Sequence, residues 1–262
     1  MAAEATMHFH GKPPYRVAVL HGGPGAAGEM APVARALARD GLGVLEPWQT
    51  AATVDGQVEE LAATLRNEAA PPVILIGFSW GAWLGWMVAA RHPDLVRKLI
   101  LVGSGPFEAS YAAGTLETRL GRLAPAERAE ARALHDRLKE ADRSDAELAR
   151  YGTLLSKADD FDPMPEDTPV SCRAEIFQGV WSEAAELRRS GKLLALGSAI
   201  VCPVVAIHGD YDPHPAEGVE NPLVRVLRDF RFVLLPKCGH RPWAERQARE
   251  EFYTRMEREI RE

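Results

Sequence analysis

The chain has 262 residues, 46% of them hydrophobic and 26% charged, with a formal net charge of −6. That length holds one large core with room for an inserted subdomain, and the composition is that of an ordinary globular protein. The negative balance excludes the basic surface that nucleic acid or an anionic membrane selects, so neither is expected as a partner, and the oligomeric state stays open.

The amino-terminal stretch MAAEATMHFHGKPPYR lacks the apolar run of a secretory leader. RVAVL then reads as a buried strand ending at His21, followed by the glycine turn HGGPG. A helix is expected over Met30–Arg39, stopping at Asp40-Gly41, then a strand at LGVLEP and a helix near Val54–Glu68. Val73–Ala90, VILIGFSWGAWLGWMVAA, is apolar enough to raise the question of a membrane span. Gly77, Ser79 and Gly81 break it near its front, so it reads instead as a buried strand, a sharp turn and a buried helix. KLILVGSG, PVVAIHGD and FRFVLLP supply further strands, and a last helix is expected from about Pro242 to Arg261. This alternation of apolar strands with helices predicts a mostly parallel sheet covered on both faces.

The rhythm breaks from about Phe107 to Val201, where Ala-, Arg- and Glu-rich stretches read as several helices, one of them divided at Gly191. The expected organisation is a core of residues 1–104 and 202–262 with a helical cap, residues 105–201, inserted over the carboxyl ends of the strands, where open α/β sheets bind ligands.

G-x-S-x-G, as in GFSWG, has chemical meaning when a strand precedes it and a helix follows. A serine at so tight a turn is held in a strained backbone conformation, and Gly77 and Gly81 leave it room. Ser79 is the candidate nucleophile; the alternative is a plain turn with an N-capping serine. A serine needs a base, and the base an orienting acid. Strand ends deliver both: Asp210 and Asp212 follow VVAIHG, and His240 follows RFVLLP within KCGHRPW. Asp212 is the expected acid and His240 the base. Asp210, nearer the strand, is the second choice with a turn-forming role, and Glu108 the third. His208 falls inside a strand as a core or rim residue, and His92 at a helix end. His214 is placed close enough to Asp212 to line the pocket. Cys172, Cys202 and Cys238 are odd in number and form no C-x-x-C pair, which fits a reducing, cytoplasmic compartment. Cys238 reads as a small buried side chain. No H-x-x-H or H-E-x-x-H occurs, and His8, His10 and His135 lack strand-end context, so no metal and no cofactor is expected.

Acyl transfer also needs backbone donors aimed at the developing oxyanion. Trp80 N–H, just after the serine, is one; Gly23 N–H, from HGGPG, is the other, with His21 holding that loop by hydrogen bonding. HGGPG fits neither G-x-G-x-x-G nor a P-loop, which argues against a nucleotide site. Trp80, Trp83 and Trp86 recur every three residues and read mainly as core, whereas Trp181 and Trp243 are candidate pocket walls.

With these motifs in place the chain resembles the α/β-hydrolase superfamily, along nearly its whole length. HGGPG with GFSWG resembles the proline iminopeptidase branch in particular, and HGDYDP and CGHRPW resemble the acid and histidine turns of the superfamily. The resemblance implies an α/β-hydrolase fold and the roles of Ser79, Asp212 and His240, with Gly23 and Trp80 as oxyanion donors. It departs from iminopeptidases at Phe78, where they usually have glycine, and at LEPWQTAATVDGQ, which lacks their D-x-R-G-x-G-x-S stretch. Their caps offer carboxylates to a substrate amine; here Asp159, Asp160, Asp162 and Glu166 are available to compare. The expected function is cleavage of a small-molecule ester or amide by a serine hydrolase. The alternatives are an iminopeptidase-like aminopeptidase, another reaction on the same triad, and a binding protein without catalysis.

Overall fold

A computed structural model describes residues 6–39, 41–165 and 168–262. Asp40 of the expected helix stop, Glu166 among the cap acids, and the first five residues of the amino-terminal stretch lie outside them.

Among the described residues seven strands form the main sheet in the order β1-β4-β2-β5-β6-β8-β9. They are β1 (Met7–His10), β2 (Tyr15–Leu20), β4 (Gly43–Pro47), β5 (Val73–Phe78), β6 (Val96–Val102), β8 (Val204–Gly209) and β9 (Phe230–Leu235). Only β1 is antiparallel, pairing with β4 at the edge. Every residue of β5 and β8 is buried, because helices cover both faces and a parallel strand has no solvent side to leave polar. One face packs α2 (Val54–Glu68) and α3 (Trp80–Arg91), through Val58, Leu61, Leu84 and Met87 against Leu75, Leu99 and Ala206. The other packs α1 (Ala31–Arg39) and α11 (Arg249–Arg261), through Val33, Leu37, Phe252 and Met256 against Val19, Ile74 and Ile207. Each such Leu, Ile, Phe or Met contributes about 1.5–3 kcal/mol by leaving water.

The register aligns the strand ends. Leu20 lies opposite Gly77, Phe78 opposite Val102, and Gly209 opposite Leu235. The loops that follow β2, β5, β8 and β9 therefore emerge at one rim. Between β2 and β5 the chain order reverses, which opens the crevice where α/β sheets place ligands.

Among the described residues six α-helices lie between β6 and β8: α4 (Ala109–Ala112), α5 (Thr115–Arg122), α6 (Pro125–Arg137), α7 (Asp145–Asp159), α8 (Ala174–Arg189) and α9 (Lys192–Ala195); α10 (Glu217–Val226) follows β8. Leu120, Leu123, Ala131, Leu148 and Leu154 of this segment make a small core of their own. Ile176, Val180 and Ala184 of α8 instead join the main core beside α3. A two-stranded sheet, unforeseen from sequence, joins β3 (Ala26–Ala27), just after HGGPG, to β7 (Ser171–Cys172) of the inserted segment.

The last helix differs from expectation. Pro242–Ala244 make one 3₁₀ turn, and α11 starts only at Arg249. Between them Glu245 is extended and fully buried, its carboxylate accepting from the backbone N–H of Gly239, Phe161 and Asp162, each at 2.7 Å. Those long-range bonds outcompete the helix that the local sequence favours.

Candidate active site

Ser79 sits between β5 and α3 at φ 51° and ψ −111°, a region that side chains avoid. A Cβ on Gly77 would lie 2.2 Å from the Gly81 carbonyl oxygen, and one on Gly81 would lie 2.6 Å from the carbonyl oxygens of Leu20 and His21. Glycine at both positions is thus a condition of the turn. The backbone N–H of Ser79 donates to Val102 O at 3.0 Å, which pins the turn to β6. Its hydroxyl makes no capping bond to α3, so the plain N-cap alternative fails. Nor does the hydroxyl make a hydrogen bond with any other described residue, which leaves it free at the helix N-terminus.

Asp212 and His240 meet as expected from their strand ends: His240 Nδ1 lies 2.7 Å from Asp212 Oδ2. Both are buried, and the imidazole packs on Phe78, the residue before the serine, with ring centroids 4.7 Å apart. The large side chain at position 78 thus supports the histidine. Asp210 holds the loop, accepting from Cys238 N at 3.1 Å, and Glu108 pairs with Arg225 at the surface. Cys238 is buried, and that burial pushes its thiol up, away from reactivity.

Three histidines surround Asp212. His214 donates to Oδ1 from its backbone N–H and lies with Nδ1 at 2.9 Å from the same oxygen, and His208 Nε2 stands 3.6 Å from Oδ2. Burial opposes charge on Asp212, yet His240, His208 and His214 together hold its carboxyl well below the usual range. Burial likewise lowers both imidazoles. At His214 it wins, pulling the ring down to about 4, while at His240 the Asp212 carboxylate and its hydrogen bond win and the ring is raised. One carboxylate therefore makes two neighbouring imidazoles unequal, one inert near neutrality and one basic. Sequence reading placed His214 against the pocket; the structure binds it to the acid.

His21 behaves as expected. Its Nδ1 donates to Gly22 O at 2.7 Å, its Nε2 accepts from Gln49 N at 3.3 Å, and burial lowers it to about 4, so it is a neutral brace of the HGGPG loop. Gly23 follows at φ 33°, a left-handed value that glycine tolerates. Trp80 is the first residue of α3, so its N–H is free of the helix ladder. Its side chain turns away and donates to Gln57 Oε1 at 2.9 Å.

One of the two expected pocket walls falls elsewhere. Trp243 is buried in the core under Phe78, their rings 4.7 Å apart, and has no surface to offer a ligand. The tight turn after His240 aims it downward into the α11 side of the sheet. Trp181 is exposed on α8 and stacks on Phe177 and Trp83 at 6.0 and 6.3 Å, one ring beyond Trp80.

The inserted segment reaches the site through α7. His240 N donates to Asp159 O at 2.9 Å. The Asp159 carboxylate is held by Arg119 in two bonds of 2.7 Å, Asp160 pairs with Arg241, and Asp162 lies 3.6 Å from Arg246. Nothing local in the sequence marks Arg119 or Glu245, and both were missed.

Comparison with known proteins agrees with this architecture. The alpha/beta hydrolase fold family matches residues 52–242. Pimeloyl-[acyl-carrier protein] methyl ester esterase of Neisseria meningitidis serogroup B is 25% identical over 76% of this chain and 70% of its own. Lipase LipV of Mycobacterium tuberculosis is 39% identical, but over only 21% of this chain and 22% of its own length. The proline iminopeptidase of Mycobacterium smegmatis superposes with a TM-score of 0.63 at 20% identity, covering 97% of this chain and 93% of that one. Family and relatives together define a hydrolytic enzyme. The chain belongs to the alpha/beta hydrolase family. Among the described residues no helix is long and apolar enough to cross a membrane.

Proposed function

We propose that this hydrolase is a serine hydrolase that cleaves a small ester or amide through an acyl-enzyme. The observation that carries the reading is the buried His240–Asp212 pair seated on Phe78, next to a serine in strained backbone with an unengaged hydroxyl. Asp212 occupies Nδ1 of His240 and so leaves Nε2 as the basic nitrogen. His240 takes the Ser79 proton as the hydroxyl attacks the carbonyl carbon, and the imidazole–hydroxyl contact closes in the substrate complex. The tetrahedral oxyanion lies between Gly23 N–H and Trp80 N–H. His240 then gives its proton to the leaving group, and water activated by the same ring releases the acyl group. Residues 105–201 act as the cap. A reducing, cytoplasmic setting suits three free cysteines.

Cleavage of a small ester or amide without a free amine is favoured over aminopeptidase chemistry because the buried cap carboxylates of Asp159 and Asp160 are already paired with Arg119 and Arg241. The name of the esterase relative points the same way. A fluorophosphonate probe followed by a panel of p-nitrophenyl esters and aminoacyl arylamides tests the proposal. Labelling at Ser79 with ester turnover is expected; an unlabelled chain refutes catalysis, and preference for prolyl arylamide refutes the ester assignment.

The pH profile follows from the unequal imidazoles. His240 must be neutral to accept a proton, and its folded value is raised above 6.5, so kcat/KM rises with pH through a midpoint above 6.5. A midpoint below that, or a flat profile with chemistry rate-limiting, removes His240 as base.

His214 is expected to position Asp212. The groups facing it are Asp212, Arg119, His240 and His208. In His214→Ala the carboxylate loses a donor and leans harder on His240, so the rising limb moves to higher pH and kcat/KM near neutrality falls about tenfold, the worth of one hydrogen bond. His214→Asn keeps a donor near the Nδ1 position and restores the profile. Equal profiles for both variants would make His214 mere packing.

A further inference from the structure

His8 and His10 lie on β1 two residues apart, so strand period puts both imidazoles on one face. The antiparallel register sets Glu46 of β4 directly opposite His8. Glu46 is fully buried, and among the described residues no lysine or arginine pairs with it; the side chains that face its carboxylate are the two imidazoles. His10 Nε2 stands 2.8 Å and His8 Nδ1 3.6 Å from Glu46 Oε2, while Glu46 Oε1 is buried with no partner at all. A buried carboxylate with an orphan oxygen is costly unless a cation faces it.

We propose that His8, His10 and Glu46 form a binding site for a divalent metal of the zinc class, which clamps the edge strand β1 onto β4. Two imidazoles and one carboxylate are a donor set that zinc accepts. An ion holding ligands at about 2.0–2.1 Å in tetrahedral array sets them about 3.3 Å apart. The separations of 2.8 and 3.6 Å straddle that figure, and the three ligand atoms all lie within 4.8 Å of one another. Small side-chain rotations suffice to admit the ion. Trp48 packs edge-on against the His8 ring at 4.7 Å and limits its rotation, and the half-exposed His8 side provides the entry path and a water for the fourth position. A strand presents ligands at a spacing of two, so this pair is H-x-H and not the helical H-x-x-H.

The test uses the full chain without an affinity tag, stripped with chelator and titrated with Zn²⁺ by calorimetry, with melting temperature as a second readout. Wild type is expected to take up a saturable equivalent that raises the melting temperature by several degrees. In His8→Ala/His10→Ala that equivalent weakens at least tenfold and the zinc-dependent shift disappears, while zinc-free turnover of p-nitrophenyl acetate stays at wild-type level. His8→Ala alone, at a half-exposed position, guards against a folding defect and should weaken binding in the same direction. No saturable equivalent in wild type overturns the site. So does an equivalent unchanged in the double variant, which would assign the ion to Asp212, His214 and His240, the other cluster of suitable donors.

Discussion

Turnover of a p-nitrophenyl ester falls about 10⁴- to 10⁶-fold in Ser79→Ala, with the fold intact, whereas Ser79→Gly is equally inactive and more stable than either. The first half follows from the chemistry: without a hydroxyl there is no acyl-enzyme, and what remains comes from the oxyanion donors and binding. The second follows from the backbone. Ser79 is held at φ 51° and ψ −111°, a conformation costing about 1–3 kcal/mol for any residue with a Cβ. Glycine relieves that strain but brings a more flexible unfolded chain, a loss of about 0.5–1 kcal/mol. The balance is a gain of about 1 kcal/mol, read as a higher urea midpoint for Ser79→Gly than for Ser79→Ala. Activity retained in Ser79→Ala would remove the nucleophile. A glycine variant no more stable than the alanine one would show that the turn stores no strain.

What was legible of the candidate site from the chain follows from strand ends. Ser79, Asp212 and His240 each stand one to five residues past an apolar strand, and a parallel sheet brings strand ends to a common rim. Local pattern therefore encodes long-range position wherever a residue is tied to a strand end. The same logic failed where position depends on partners far along the chain. Trp243 looks like a pocket wall beside His240, but the turn aims it at Phe78 and the core. The nearness of His214 to Asp212 was legible, but not that its backbone and ring both close on the carboxylate. The pairing of Ala26–Ala27 with Ser171–Cys172 has no sequence period at all, since two short strands carry too few residues for one. The inserted segment was readable as helices, yet not its partition, with α5–α7 on their own core and α8 in the main one.

Glu245 is the clearest case of what pattern cannot reveal, and replacing it should be the most damaging change away from the reacting groups. In sequence it falls within the helix expected from about Pro242 to Arg261 and nothing singles it out. In the structure it is fully buried, and its Oε1 accepts from Gly239 N and Phe161 N while Oε2 accepts from Asp162 N. It therefore joins the histidine loop, through the residue next to His240, to the end of α7 in the inserted segment. In Glu245→Ala the buried N–H of Gly239 loses its acceptor at about 1–3 kcal/mol, and the part-buried N–H groups of Phe161 and Asp162 lose theirs at less, so a loss of about 3 kcal/mol is expected. That is a large share of a typical folding stability and can leave the variant unfolded. Glu245→Gln is milder: its amide oxygen keeps the Oε1 bonds, but its NH₂ meets the Asp162 N–H, donor against donor, at a cost of about 2 kcal/mol. With the fold retained, its histidine loop shifts and kcat falls, because a displacement of about 1 Å at a base can cost about 10²-fold. KM changes less, since Glu245 touches no substrate in the proposed reaction. Urea midpoints of the two variants in the order alanine below glutamine below wild type, with kcat lost in the glutamine variant, are the expected results. A glutamine variant with wild-type midpoint and wild-type kcat would mean that the inserted segment and the histidine loop are held together by something else.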